Sequence, residues 1–209
     1  MAVKKSLKRA VTVNEITKMK FKTMEFEGEF ERMIGTPERS GSWIIWGKSG
    51  NGKTRFTLQL CKYLAQFCVV AYNSLEEGIK LSFKKAIEDT NMKAVNNKFI
   101  ILSESMEELS HRLTKQRAPK IVVVDSFQYS LLNQAKYIEL LQAHPSVLLI
   151  FISHAEGRNP KGNAAEFVRY NSDVKIHVEG YKAHCISRYG GGETYTIWEH
   201  GAEQYWGIN

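Results

Sequence analysis

Residues 47–54 read Gly47-Lys48-Ser49-Gly50-Asn51-Gly52-Lys53-Thr54, a full match to G-x-x-x-x-G-K-[ST]. The spacing has a mechanism. Glycines tolerate positive φ and carry no side chain, so a loop of this composition wraps closely around phosphate. Its backbone N–H groups form an anion nest, and the helix that follows aims its positive end at the same phosphates. Lys53 reaches the β- and γ-phosphates, and Thr54 offers a hydroxyl to Mg²⁺. Gly47 through Thr54, with Arg55 next in the first helical turn, are therefore the nucleotide-binding candidates.

A phosphate loop must follow a buried strand and open a helix. Ser42-Trp43-Ile44-Ile45-Trp46 is a short apolar run of strand character. After Thr54, Phe56, Leu60, Leu64 and Phe67 recur at intervals of four, four and three, which marks one helix face. A chance glycine-rich turn would lack both flanks.

The remaining chain alternates strand and helix. Cys68–Tyr72 reads as a second strand, leading into Asn73-Ser74-Leu75-Glu76-Glu77-Gly78, and Ile79, Phe83 and Ile87 predict a helix. Phe99–Leu102 is a short strand. Ser105-Met106-Glu107-Glu108 is a capping box that opens a helix through Met106, Leu109 and Leu113. Ile121–Val124 is a wholly apolar strand ending at Asp125. Tyr137, Leu140 and Leu141 mark a helix stopped before Pro145, and Val147–Ile152 is a further buried strand ending at Ser153-His154. Continuously apolar strands between amphipathic helices indicate a parallel sheet covered on both faces. Residues 155–172 are polar and contain glycine. Beyond them Val174, Ile176 and Val178 alternate with polar residues, and Ala183, Cys185, Tyr195 and Ile197 continue that tone, which predicts antiparallel strands.

Composition narrows the class. A chain of 209 residues with 43% hydrophobic and 24% charged residues suits one globular domain. No apolar run approaches the roughly 20 residues that span a bilayer, and no apolar stretch follows Lys4, Lys5, Lys8 and Arg9 to make a secretory signal. Cys61, Cys68 and Cys185 are unclustered and suit a reducing compartment. The expected location is the cytoplasm of a bacterium, or of a phage's host, with no membrane partner. Charge is uneven. Residues 1–22 carry seven basic residues against Glu15, a net +6 out of the chain's +7. The expected organisation is a basic arm over 1–22 and one domain over 23–209. Such an arm neutralises nucleic-acid phosphate or is simply a solvated tail.

The chemistry falls at strand ends, where doubly wound sheets place their ligands. Asp125 is positioned to hold Mg²⁺ through water, as P-loop enzymes do. Glu76, with Glu77 beside it, is positioned to polarise water for attack on the γ-phosphate. Paired glutamates also serve as ordinary acids at a helix start. Ser153 and His154 are candidates to touch the γ-phosphate and report its loss. The other histidines show no metal-ligand spacing.

Taken in order, Gly47–Thr54, Tyr72-Asn73-Ser74-Leu75-Glu76-Glu77, Val122–Gln128, Ile152-Ser153-His154 and Ser187-Arg188-Tyr189-Gly190 resemble the RecA-like ATPase superfamily. The nearest branches are RadA/Sms, KaiC and the DnaB-type helicases, and the likeness covers about residues 35–190. It implies an α/β fold: a RecA-like P-loop NTPase core with a mostly parallel sheet flanked by helices, and antiparallel C-terminal strands. It also implies ATP and Mg²⁺ as ligands, Glu76 as the water-activating glutamate and His154 as the polar sensor. Residues 155–169 fall where RecA proteins carry a mobile loop that touches single-stranded DNA. Lys4, Lys5, Lys8, Arg9, Arg158, Lys161 and Arg169 are the DNA-binding candidates.

The pattern also departs from RadA. The Lys-Asn-Arg-Phe-Gly motif becomes Ile186-Ser187-Arg188-Tyr189-Gly190, which keeps the arginine and loses the lysine, unless Lys182 substitutes for it. Arg188 is thereby a candidate to act in trans on a neighbouring subunit's nucleotide, within a ring or filament of identical chains. Without a zinc module or a Lon-like domain, the chain best fits a compact ATPase of phage or mobile-element type. Three functions follow from this reading. One is an ATPase coupled to DNA recombination, repair or replication. Another is a KaiC-like regulatory ATPase acting through protein partners. The most remote is a P-loop small-molecule kinase.

Overall fold

The computed structural model describes residues 9–207; Lys4, Lys5 and Lys8 lie outside that range. The N-terminal elements are α1 (Val13–Ile16), α2 (Gly28–Ile34), β1 (Gly41–Gly47) and α3 (Lys53–Leu64). The middle of the chain forms β2 (Val70–Ser74), α4 (Leu81–Asp89), β3 (Phe99–Leu102), α5 (Met106–Leu113), β4 (Ile121–Asp125) and α6 (Gln134–Ala143). There follow β5 (Leu148–Glu156), β6 (Asn159–Pro160), α7 (Asn163–Asn171), β7 (Val174–Glu179), β8 (Lys182–Ser187), β9 (Tyr195–Thr196) and α8 (Glu199–Trp206).

The sheet order is β3-β2-β4-β5-β1-β7-β8-β9, with β6 paired to β5 alone. Strands β3 to β7 along that path are parallel, while β8 and β9 run antiparallel. This is the α/β arrangement expected from the apolar strand runs.

The strands are apolar without interruption because both faces are covered. Trp43, Ile45, Val123, Ile150 and Ile176 pack with Phe56, Leu60 and Leu64 of α3 and with α2. Ile44, Val122, Val124, Leu149 and Phe151 face Leu109, Tyr137 and Val168 of α5, α6 and α7. The capping box of α5 forms as its sequence predicts, Ser105 bonding the Glu108 N–H and Glu108 reaching back. Residues 9–22 bury no side chain; Met24 is the first.

Four boundaries differ from expectation. β2 runs over 70–74 rather than 68–72. Asn73 and Ser74 are polar yet buried, and the Asn73 amide both donates to and accepts from the backbone of Glu104 at 2.8 Å, so the strand tolerates it. β5 does not end at Ser153-His154 but continues to Glu156. Residues 155–160 are a hairpin in which Ala155 pairs with Pro160 and Glu156 with Asn159. The polar stretch after it is largely the helix α7, held by buried Ala165 and Val168 three residues apart. Helices α2 and α8 are further elements; the spacing Phe30, Met33, Ile34 is the sequence signal for α2.

Candidate functional site

The phosphate loop leaves β1 at Gly47 and enters α3 at Lys53. Gly47 is glycine for lack of room: a Cβ there would lie 2.1 Å from the Val178 carbonyl oxygen. Gly52 adopts φ +95°, a left-handed conformation costly for other residues, and lies against the Tyr181 ring. Asn51 anchors the loop to the β7–β8 turn. Its Oδ1 accepts from the Gly180 N–H at 2.8 Å, and its backbone carbonyl accepts from the Tyr181 N–H at 3.3 Å. Lys48, Ser49 and Gly50 form the exposed crest, open to a ligand.

Lys53 folds back over the loop and donates from Nζ to the Lys48 carbonyl at 2.9 Å. Burial lowers its pKa, while the carboxylates of Asp125 and Glu76 act to raise it. Both acids thus stand within electrostatic reach of the lysine.

Asp125 ends β4 in register with Ser74 of β2 and Ile152 of β5. Its backbone carbonyl accepts from the N–H groups of Leu75 and Glu76 at 2.6 and 3.2 Å, which carries the β2 exit across to β4. A cis peptide joins Asp125 to Ser126. The fully buried Tyr72 donates its hydroxyl to the Asp125 carboxylate. Burial pushes the Asp125 carboxyl up to about 6, the Tyr72 hydrogen bond pulls it down, Glu76 and Glu77 push it up, and Lys53 lowers it. Tyr72 itself is held far above the ordinary phenol range, first by burial and then by Asp125, so it remains a donor.

The donor set fits Mg²⁺. The Thr54 hydroxyl and the Asp125 carboxylate are hard oxygen donors, and a buried, partly uncompensated carboxylate gains from a nearby cation. Among the described residues no cluster of three His, Cys, Asp or Glu side chains could hold a metal alone. That suits an ion held by one or two protein oxygens together with substrate phosphates.

The two adjacent glutamates part company. Glu76 is half-buried, and its Oε2 lies 3.0 Å from His154 Nε2. Glu77 is exposed and accepts from Ser82 Oγ at 3.3 Å, as an acid near the start of α4. Ser153 and His154 also separate. Ser153 has no exposure, and its hydroxyl accepts from the Gln128 amide at 2.8 Å, which leaves it no path to a phosphate. His154 alone turns toward Glu76.

Gln128, whose role its own neighbours in sequence do not announce, ties this end of β5 together. Its amide donates to Ser153 Oγ and to the Lys161 carbonyl, and its Oε1 accepts from the His154 N–H at 3.2 Å. The Lys161 N–H in turn donates to the His154 carbonyl at 2.8 Å. The hairpin over 155–160 is thus bonded directly to the strand end that carries His154. The Arg158 and Lys161 side chains are exposed at this hairpin. Arg169 is not part of a loop: it sits on α7, its guanidinium over Trp46 and Tyr170 at 5.8 and 5.1 Å. Arg9 is exposed and paired with Glu15 of α1. Arg55 lies half-buried over the Trp198 ring at 5.7 Å.

Arg188 stands at the opposite edge of the sheet. It donates from Nη1 to Asp173 Oδ1 at 3.1 Å, and the Asp173 N–H bonds Ser42 at the start of β1. The phosphate loop lies at the other end of that strand, so Arg188 contributes nothing to the site of its own chain. No helix among the described residues is long and apolar enough to cross a membrane.

No family model and no curated protein matches the sequence. Solved structures do match the fold. The flagellar accessory protein FlaH from Methanocaldococcus jannaschii is similar at a TM-score of 0.59 and 14% identity, covering 83% of this chain and 92% of that one. The ATPase domain of a DnaB-like helicase is similar at a TM-score of 0.55 and 16% identity, covering 79% of this chain and 84% of that one. Strand order, phosphate loop and these likenesses together give the chain the RecA-like P-loop ATPase fold.

Proposed function

We propose that this chain binds ATP with Mg²⁺ and hydrolyses it, and that turnover is coupled to DNA in recombination, repair or replication by a homo-oligomeric ring or filament. The observation that carries the reading is the convergence of Lys53, Asp125 and Glu76, with Glu76 oriented by His154 at 3.0 Å. Lys53 neutralises charge on the β- and γ-phosphates. Glu76 accepts a proton from water as its oxygen bonds to the γ-phosphorus and the bond to the β–γ bridging oxygen breaks. Mg²⁺, held by Thr54 and through water by Asp125, would supply further charge neutralisation on the same phosphates.

His154 senses the γ-phosphate by exchanging its Glu76 partner for a phosphate oxygen. The Gln128 and Lys161 bonds support transmission of that exchange to the hairpin, where Arg158 and Lys161 offer phosphate contacts to single-stranded DNA. The kinase reading loses support because Arg169, one of its two lid candidates, is held against Trp46. A second reading, a regulatory ATPase acting through protein partners, is favoured by the net charge of only +1 over residues 23–209.

The test is ATP turnover with and without single- and double-stranded DNA at two salt concentrations, alongside Lys53→Ala. DNA-stimulated, salt-sensitive turnover that Lys53→Ala abolishes supports the first reading. Turnover indifferent to DNA, with no DNA binding at low salt, moves the assignment to the second. Undiminished turnover in Lys53→Ala rejects both.

A further inference from the structure

The phosphate loop has two unlike flanks. On one stand Asp125, Glu76 and His154, the groups that meet the γ-phosphate. On the other the sheet order places β7 and β8 next to β1. A triphosphate seated with its γ end at Glu76 therefore sends its α-phosphate, sugar and base toward the β7–β8 turn and α8.

That second flank is aromatic. Tyr181 packs its ring beneath Gly52, its Cδ1 3.0 Å from where a Cβ would stand, and its N–H bonds Asn51 of the loop. The Tyr181 carbonyl accepts from the Ile197 N–H at 2.8 Å, which brings the next residue, Trp198, alongside. Trp198 meets Tyr181 edge to face, with centroids 5.1 Å apart and planes at 87°. The Arg55 guanidinium lies over the Trp198 ring, and His200 adjoins it at 5.8 Å. Trp198 stays 36% exposed despite these contacts. Arg55 Nε is buried without a hydrogen-bond partner. Arg55 follows Thr54 directly, so the stack begins within one helical turn of the phosphate site.

We propose that Trp198 and Arg55, backed by Tyr181, form the nucleobase site of this chain, a stacking shelf for the base of the bound nucleotide. The inference rests on the phosphate-loop reading above and adds the base-binding half to it. A flat indole and a flat guanidinium offer their faces to a heterocycle, and stacking of this kind is tolerant of base identity. The shelf is tied to the loop through Asn51 and Gly52, so it is already positioned before the nucleotide arrives.

The experiment compares ATP with inorganic tripolyphosphate, both with Mg²⁺, by calorimetry on the full chain. Tripolyphosphate carries the phosphates and no base. The expected result is roughly tenfold or tighter binding of ATP. Trp198→Leu, which keeps apolar packing against Gly201 and removes the π face, should erase most of that preference and leave tripolyphosphate affinity unchanged. Trp198→Phe should retain it. Indole emission gives an independent reading: ATP should quench it in the wild type, while tripolyphosphate should not, and the quench should be lost in Trp198→Phe. Equal affinity for the two ligands in the wild type overturns the shelf and leaves the phosphate loop standing. So does an equal loss of both ligands in Trp198→Leu, or an ATP quench unchanged in Trp198→Phe. Binding of neither ligand overturns the phosphate-loop reading and the shelf with it.

Discussion

The hydroxyl of Tyr72, a side chain with no solvent exposure, donates to the carboxylate of Asp125. The bond crosses from β2 to β4 and fixes one carboxylate oxygen directly behind the phosphate loop. Tyr72→Phe leaves that oxygen without its donor and keeps the ring packing against Phe83 and Phe99. An unpaired buried acceptor costs about 1–3 kcal/mol, so urea unfolding should show a loss of that order. The Mg²⁺ concentration that half-saturates nucleotide binding should rise several-fold. Unchanged values in both measurements would show that the hydroxyl does not position Asp125.

Asp125 also makes stability depend on pH. Burial raises its carboxyl to about 6, above the value of an unfolded chain. For a raised pKa the folded state holds the proton more tightly. The stabilising contribution is complete below about pH 4 and is lost as pH climbs through about 6. Asp125→Asn removes the penalty of ionisation. In metal-free buffer at pH 7.5 the variant should be more stable than wild type, by an amount on the order of 1–3 kcal/mol. The gap should close toward pH 4. Denaturation curves in chelator at several pH values measure it, and a pH-independent difference would rule out Asp125 as its source. The same variant should lose the Mg²⁺-dependent part of its nucleotide affinity.

Glu76 and Glu77 are adjacent in sequence and differently placed. Glu76→Gln keeps size and loses the charge that takes a proton, so turnover should fall about 10²- to 10⁴-fold with nucleotide binding retained. Glu77→Gln should stay within a few-fold of wild type, because Glu77 is exposed and bonded to Ser82. Single-turnover assays with parallel binding measurements decide it. A larger loss at Glu77 would reverse the assignment.

Arg188 sits beside Asp173, on the order of 17 Å along β1 from the phosphate loop. If it serves the nucleotide of a neighbouring subunit, turnover per chain should rise with protein concentration. Arg188→Ala should lose turnover and keep ATP binding. Mixing Arg188→Ala with Glu76→Gln should recover part of the activity, since one intact shared site then forms. Concentration-independent turnover with no recovery in the mixture would reject the shared site.

Much of this protein is legible in the order of its amino acids alone. The phosphate loop is a contiguous motif, and its chemistry is local: glycines, a lysine and a threonine at fixed spacing. Unbroken apolar strands such as Ile121–Val124 announce burial on both faces, and therefore a parallel sheet. Ser105 and Glu108 announce a helix start because their mutual bonds lie within one turn. Other features are decided only by tertiary contacts. Asn73 reads as a loop residue until the Glu104 backbone satisfies its amide inside the sheet. The 155–171 stretch reads as a polar loop until β5 folds back on Pro160 and α7 finds a face for Ala165 and Val168. Ser153 and His154 are indistinguishable as strand-end polar residues, but pleat alternation and Gln128 bury one and leave the other facing Glu76. Tyr72 reads as ordinary core, and Trp198 carries no signal at all until the β7–β8 turn brings it beside Arg55. Motif and periodicity report what a segment does with its own neighbours. Which of two adjacent side chains meets the site depends on partners far along the chain, and only the packed sheet brings those together.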